Sequence, residues 1–153
     1  GATITAMRES SHLTAAVGEI HSTDTTPLKS IVLFPLTFMN ESGHAVAAAM
    51  QEYNSTVADL LVIHDDIEIP LGEMNFKAAG SAAGHNGVRS IQQVLATNEF
   101  SRLRLGVGRP PEDKPVDQFV LEPFTDAEKP VIAELTTAAQ QAITEFVVAR
   151  SKT

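Results

Sequence analysis

Cysteine is absent from the 153-residue chain, which excludes disulfides, thiolate-ligated zinc, iron–sulfur clusters and a thiol nucleophile. A cysteine-free chain suits a reducing compartment without requiring one. No apolar run approaches the length needed to cross a bilayer, so nothing here reads as a membrane span. No secretory or transit segment is visible at the start, and the opening Gly1-Ala2, without methionine, leaves open an address removed earlier. Nothing repeats and no stretch is low in complexity, which points to one domain across residues 1–153 without an internal linker. Such a length buries roughly two thirds of its unfolded surface. Basic residues are scarce too. Eleven Lys and Arg against 19 Asp and Glu give a net charge of −8, a poor start for RNA binding, whose affinity comes mostly from cations. The distribution softens this: Lys77, Arg89, Arg102, Arg104, Arg109 and Lys114 face only Glu99, Glu112 and Asp113 between 77 and 114, a local +3 that leaves −11 elsewhere. An acidic body with one basic stretch is suited to binding nucleic acid on one face, although this density of basic residues is not far from average.

What is present reads as strands alternating with helices. Leu13 to Ile20 and Leu28 to Phe34 are β-compatible runs around a turn at 22–27, so an antiparallel pair is expected. Val46, Ala49, Met50 and Tyr53 mark a helix over 41–53, and Val88, Ile91, Val94 and Leu95 a second one beginning just after Gly87. Leu60 to His64 reads as a strand buried on both faces, with further strands at 73–77 and 103–107. Three prolines make 109–115 a loop. Thr125 and Glu128 have capping-box spacing, but Pro130 favours a short turn at 126–129 and a long amphipathic helix from Pro130 onward. This alternation implies an α/β domain with a mixed sheet packed between helical layers.

Three polar groups sit where elements begin or end, where a scaffold can aim side chains while holding their backbones rigid. Asn86, in Gly84-His85-Asn86-Gly87, is placed to cap a helix whose free N–H groups can hold a phosphate or a polarised carbonyl. Flanking glycines let a ligand approach the backbone. Asp65 ends a strand, where ligands gather in open α/β sheets. His64 and Asp65 should point to opposite faces, and Asp66 and Glu68 read as ordinary solvated acids. Asn40, after Met39, opens the first helix as a cap or as a carboxamide for a substrate carbonyl. Each has a plain alternative: a capped helix with His85 as a turn residue, or a solvated strand end. His64, Asp65, Asp66 and His85 meet no known ligand spacing, so no metal is expected.

Taken in order, Leu36-Thr37-Phe38-Met39-Asn40, Leu60-Leu61-Val62-Ile63-His64-Asp65-Asp66 and Gly84-His85-Asn86-Gly87-Val88-Arg89-Ser90 resemble bacterial-type peptidyl-tRNA hydrolases. The likeness continues through Phe100 to Pro110, similar to that family's F-x-R-L-R-x-G-x-G-R-P stretch, and through Val116 to Phe124, and is best over residues 31–124. The resemblance implies a peptidyl-tRNA hydrolase-like fold and hydrolysis of the ester joining a peptide to tRNA, without cofactor or metal. It assigns catalytic roles to Asp65 and Asn86, and substrate binding to Met39, Asn40, His85, Asn86 and Gly84. It also gives Lys77 and Arg104 a clamp on the tRNA 5′ phosphate, as donors to one dianion. The implied partner is the acceptor end of peptidyl-tRNA, with no membrane, no obligatory protein partner and a monomeric state. The implied compartment is the cytoplasm, or an organelle such as the mitochondrion in a eukaryote.

Two departures accompany the likeness. The family's G-G-G-x-G-G loop reads Ala79-Gly80-Ser81-Ala82-Ala83-Gly84 here. The family's first strand, its G-L-G-N-P-G turn and the T-R-H-N stretch carrying the catalytic histidine have no counterpart, and His12, His21 and His44 lie in other contexts. The chain as written is therefore expected to be N-terminally incomplete relative to the family and a very poor hydrolase. The alternative is a non-catalytic RNA-binding relative. In the family the missing strand lies inside the sheet, so its absence is expected to destabilise the fold or drive association through the open edge, unless residues 2–7 fill part of the gap.

Overall fold

The computed structural model describes residues 2–22 and 29–151. The turn expected at 22–27 and the start of its second strand at Leu28 fall mostly outside the described residues. The strands on either side pair as anticipated: β3 (Ala15–Ser22) runs antiparallel to β4 (Lys29–Pro35). The short β1 (Ala2–Ile4) and β2 (Arg8–Ser10) both pair with the other edge of β3. The opening residues thus extend this antiparallel sheet; they do not fill a gap beside β4.

A single 3-10 turn (Met39–Glu41) leads into α1 (Ser42–Glu52). Next come β5 (Leu61–Asp66), β6 (Met74–Lys77), α2 (Asn86–Leu95) and β7 (Ser101–Gly106). The second sheet has the order β5-β7-β6, with β5 parallel and β6 antiparallel to β7. One turn of helix, α3 (Val116–Phe119), precedes the long α4 (Lys129–Ser151). The capping box forms, with Thr125 N–H donating to Glu128 Oε1 at 2.8 Å and Glu128 N–H to Thr125 Oγ1 at 3.2 Å. Pro130 sits in the first turn of α4, where a missing N–H costs little, so cap and proline are compatible.

The mixed sheet lies between helices as expected. Val62 of β5 packs on a core of Val46, Val88, Ile91 and Phe100 contributed largely by α1 and α2, and Phe76 of β6 meets Phe146 of α4 with ring centroids 6.4 Å apart. Leu33 of β4 reaches the same α1–α2 core, so both sheets rest on one helical layer. Yet the free edge of β4 and the free edge of β5 pair with nothing among the described residues. This changes the reading of β5. Its apolar run suggested burial on both faces, but as an edge strand it leaves Ile63 45% exposed. Hydropathy alone cannot tell an edge from a centre.

Gly43 sets the approach of the two helices. A methyl there would collide with the Ser90 carbonyl, and the Gly43 N–H donates to Ser90 Oγ at 2.9 Å. That contact brings the beginnings of α1 and α2 together.

Candidate active site

The start of α2 is capped by His85, not by Asn86. The His85 backbone is extended (φ −74, ψ 116) and its Nδ1 accepts the Val88 N–H at 3.2 Å. Asn86 is then the first helical residue, exposed, with a carboxamide that has no hydrogen-bond partner among the described residues. Asn40 is also relieved of the capping role proposed for it. It lies within the Met39–Glu41 turn, and the position before α1 is Glu41, which makes no side-chain cap. The Asn40 side chain is exposed and equally unpartnered among the described residues. Met39 joins the group: its Sδ would lie 2.7 Å from a methyl placed on Gly87, so the glycine makes room for the thioether.

Because His85 Nδ1 is an acceptor, its proton sits on Nε2, which donates to Asp65 Oδ1 at 2.9 Å. His64 lies against the same imidazole, with ring centroids 4.8 Å apart. Its own Nδ1 donates to the Asp65 carbonyl oxygen at 2.8 Å, and its Nε2 is buried without a partner among the described residues. The side chains of His64 and Asp65 were expected to diverge across a regular strand. At the end of an edge strand both converge on His85. Among the described residues no group of three or more His, Cys, Asp or Glu is placed to hold a metal ion.

The hydrogen bond from His85, outweighing burial, holds the Asp65 carboxyl below its ordinary pKa. Burial pushes His64 below its ordinary value of 6.5, an effect only partly offset by its bond to the Asp65 carbonyl. The folded protein therefore keeps His64 neutral where the unfolded chain protonates it. The resulting stability is complete above about pH 6.5 and is lost as pH falls through the depressed folded value. Urea midpoints taken at about pH 7.5 and about pH 5.5 are expected to fall more for the wild type than for His64→Gln. Equal falls would contradict the buried, neutral His64.

The basic residues share one face of the second sheet. Lys77 pairs across from Arg102, and Asn75 from Arg104. Lys77 has no carboxylate within salt-bridge distance among the described residues. Arg104 donates from Nε to Asp66 Oδ2 at 2.7 Å and more weakly from Nη1 to Asn75 Oδ1 at 3.5 Å. Asp66 is thus no solvated acid: it is 7% exposed, and its Oδ1 accepts the Glu68 N–H at 2.8 Å. Glu68 is exposed and pairs with Arg109.

Arg102, counted in the sequence only as a member of the basic stretch, is 1% exposed and has no carboxylate partner among the described residues. It donates to the Ser81 and Asn98 carbonyls at 3.1 and 2.9 Å and lies 4.5 Å over the Phe100 ring. Gln92 Nε2 donates to the Gly80 carbonyl at 2.7 Å. Together they fix the loop that delivers Gly84 and His85. The one available signal was the R-L-R alternation, which puts Arg102 and Arg104 on the same face. In that loop Ala83 adopts φ 49 where the family pattern has glycine, a backbone that costs an alanine about 1 kcal/mol more than a glycine.

The sequence pattern of the family described as peptidyl-tRNA hydrolase matches residues 2–153. The chain belongs to the peptidyl-tRNA hydrolase family. A peptidyl-tRNA hydrolase of Solidesulfovibrio magneticus is 49% identical over 112 residues, covering 73% of this chain and 53% of that protein. One of Thermus thermophilus is 44% identical over 113 residues, covering 74% of this chain and 62% of that protein. The chain therefore spans between half and two thirds of the length of these curated relatives. A crystal structure of a peptidyl-tRNA hydrolase in complex with n-propanol superposes with a TM-score of 0.77 at 26% identity, covering 95% of this chain and 70% of that one. Among the described residues no helix is long and apolar enough to cross a membrane.

Proposed function

We propose that this chain carries the substrate-binding surface and part of the catalytic apparatus of a peptidyl-tRNA hydrolase, in a single domain across residues 1–153. The observation that carries the reading is the meeting of Met39, Asp65 and His85 at the start of α2, beside the unpartnered carboxamides of Asn40 and Asn86. Asn40 and Met39 hold the peptide. Asn86 and the N–H groups around Gly84 stabilise the oxyanion that develops when water attacks the ester carbonyl. His85 orders this end of the helix and contacts substrate, but both of its ring nitrogens are already engaged. Asp65 Oδ2 has no partner among the described residues. That oxygen is the one we assign to orienting the general-base histidine, which is contributed from outside residues 1–153. The chemistry needs neither metal nor cofactor. A reaction on tRNA belongs in the compartment where translation runs, which for the bacterial relatives is the cytoplasm.

Lys77 and Arg104 serve binding. With an acceptor-stem RNA bearing a 5′ phosphate as ligand, Lys77→Ala and Arg104→Ala are expected to weaken tRNA binding and reduce the salt slope by about one each. In hydrolysis, KM should rise more than kcat falls. Unchanged binding at low salt by folded variants would remove the clamp from the proposal.

A further inference from the structure

Arg104 is held from behind. Asp66, at the buried end of β5, touches the guanidinium at Nε, the nitrogen nearest the chain, at 2.7 Å. No hydrogen bond from Arg104 Nη2 is made among the described residues, and Nη1 makes only the 3.5 Å contact to Asn75 Oδ1. The carboxylate is itself fixed, since its other oxygen accepts the Glu68 N–H at 2.8 Å. Its strand is anchored by Val107 N–H donating to the Asp66 carbonyl at 3.0 Å. A chain of fixed bonds therefore runs from the β5 backbone through Asp66 to the inner nitrogen of Arg104, leaving the outer fork available. The neighbouring cation, Lys77, has no such support among the described residues.

We infer that Asp66 is a positioning residue for RNA binding: it holds the Arg104 fork in the orientation that meets a terminal phosphate. This rests on the reading of Lys77 and Arg104 as a phosphate clamp. Two charge arguments pull in opposite directions. An anion beside the clamp weakens its attraction for phosphate by partly neutralising it. A guanidinium already fixed in place loses less side-chain entropy when it closes two parallel hydrogen bonds on a phosphate. The second effect dominates where geometry matters, namely for a dianionic terminal phosphate, and hardly matters for diffuse attraction to the RNA backbone. The sign of an Asp66 substitution thus separates them.

The test uses the folded 153-residue chain and two acceptor-stem RNA hairpins, one with a 5′ phosphate and one with a 5′ hydroxyl, titrated by fluorescence anisotropy. Wild type is expected to prefer the phosphorylated hairpin by about tenfold, the size of one charge-assisted hydrogen-bond pair. Asp66→Asn is expected to bring that ratio close to one while leaving affinity for the hydroxyl hairpin within a small factor. Arg104→Lys, which has no Nε for Asp66 to hold, should lose the ratio equally, and adding Asp66→Asn to it should change nothing further. A simple loss of folded structure would weaken both hairpins together and leave the ratio intact. A ratio that survives or rises in an Asp66→Asn protein that binds the hydroxyl hairpin as the wild type does overturns the positioning role and leaves the clamp standing. A wild-type ratio of one overturns the clamp itself, and the role of Asp66 with it.

Discussion

Cleavage of peptidyl-tRNA by residues 1–153 alone is expected to be slower by about 10²- to 10⁴-fold than by the same residues carrying a family-like N-terminal segment, the usual contribution of a general base. The expectation follows from where the histidines stand. His85 donates to Asp65 and accepts from Val88, so neither nitrogen is free to take a proton from water. His64 is committed at Nδ1 to the Asp65 carbonyl, and its Nε2 is buried. His21 lies 3.1 Å from Glu19 in the first sheet, and the exposed His12 and His44 have no contact with Asp65 among the described residues. The time course of tRNA release from an N-blocked aminoacyl-tRNA measures the difference. Robust turnover by residues 1–153, abolished by replacing one of these five histidines, would show that an internal base had been missed.

The second large effect concerns association. Among the described residues β4 and β5 each present a free edge, and both carry apolar side chains, with Phe34 64% and Ile63 45% exposed. Neither edge has a proline before its last residue, and on β5 the charges, Asp65 and Asp66, sit only at its C-terminal end, so the usual protections against pairing with another chain leave the middle of both strands uncovered. Residues 1–153 are therefore expected to associate in a concentration-dependent way, measured as mass by light scattering. Ile63→Lys on the exposed edge of β5 should shift the equilibrium toward monomer, and so should an N-terminal segment that supplies a strand. That segment should also raise the melting temperature, since it closes two edges at once. A monodisperse monomer with a high melting temperature, unaffected by Ile63→Lys, would mean that the two edges are not open to partners.

Much of this was legible from residue spacing, and the failures have physical causes. The β3–β4 pair, α1, α2 and α4 follow from periodicity, because a two- or 3.6-residue repeat records which face is buried. Periodicity does not record which strand lies beside which. That is why residues 2–7 stand as one option for filling part of the gap although Ala2–Ile4 pair with β3, and why Leu60 to His64 reads as buried on both faces although β5 is an edge. Met39, Asp65 and His85 come together in space, while the helix-capping roles expected of Asn86 and Asn40 do not fall to them. Asn is a better average cap than His, but His85 stands one position earlier and its ring reaches the Val88 N–H, leaving Asn86 to face outward. Asp66 looked like a solvated acid because nothing in its immediate sequence names its partner, which is Arg104, 38 residues away. The cationic anchor Arg102 was hidden for the same reason: its ligands are backbone carbonyls, which every residue possesses.

The central claim is that Asp65 acts in the chemical step while Lys77 and Arg104 act in binding. The most direct measurement is steady-state hydrolysis of peptidyl-tRNA by residues 1–153 carrying the family-like N-terminal segment, comparing wild type with Asp65→Asn. The account predicts that kcat falls by about 10²-fold or more while KM stays near the wild-type value. An Asp65→Asn protein that turns over at the wild-type rate would contradict it.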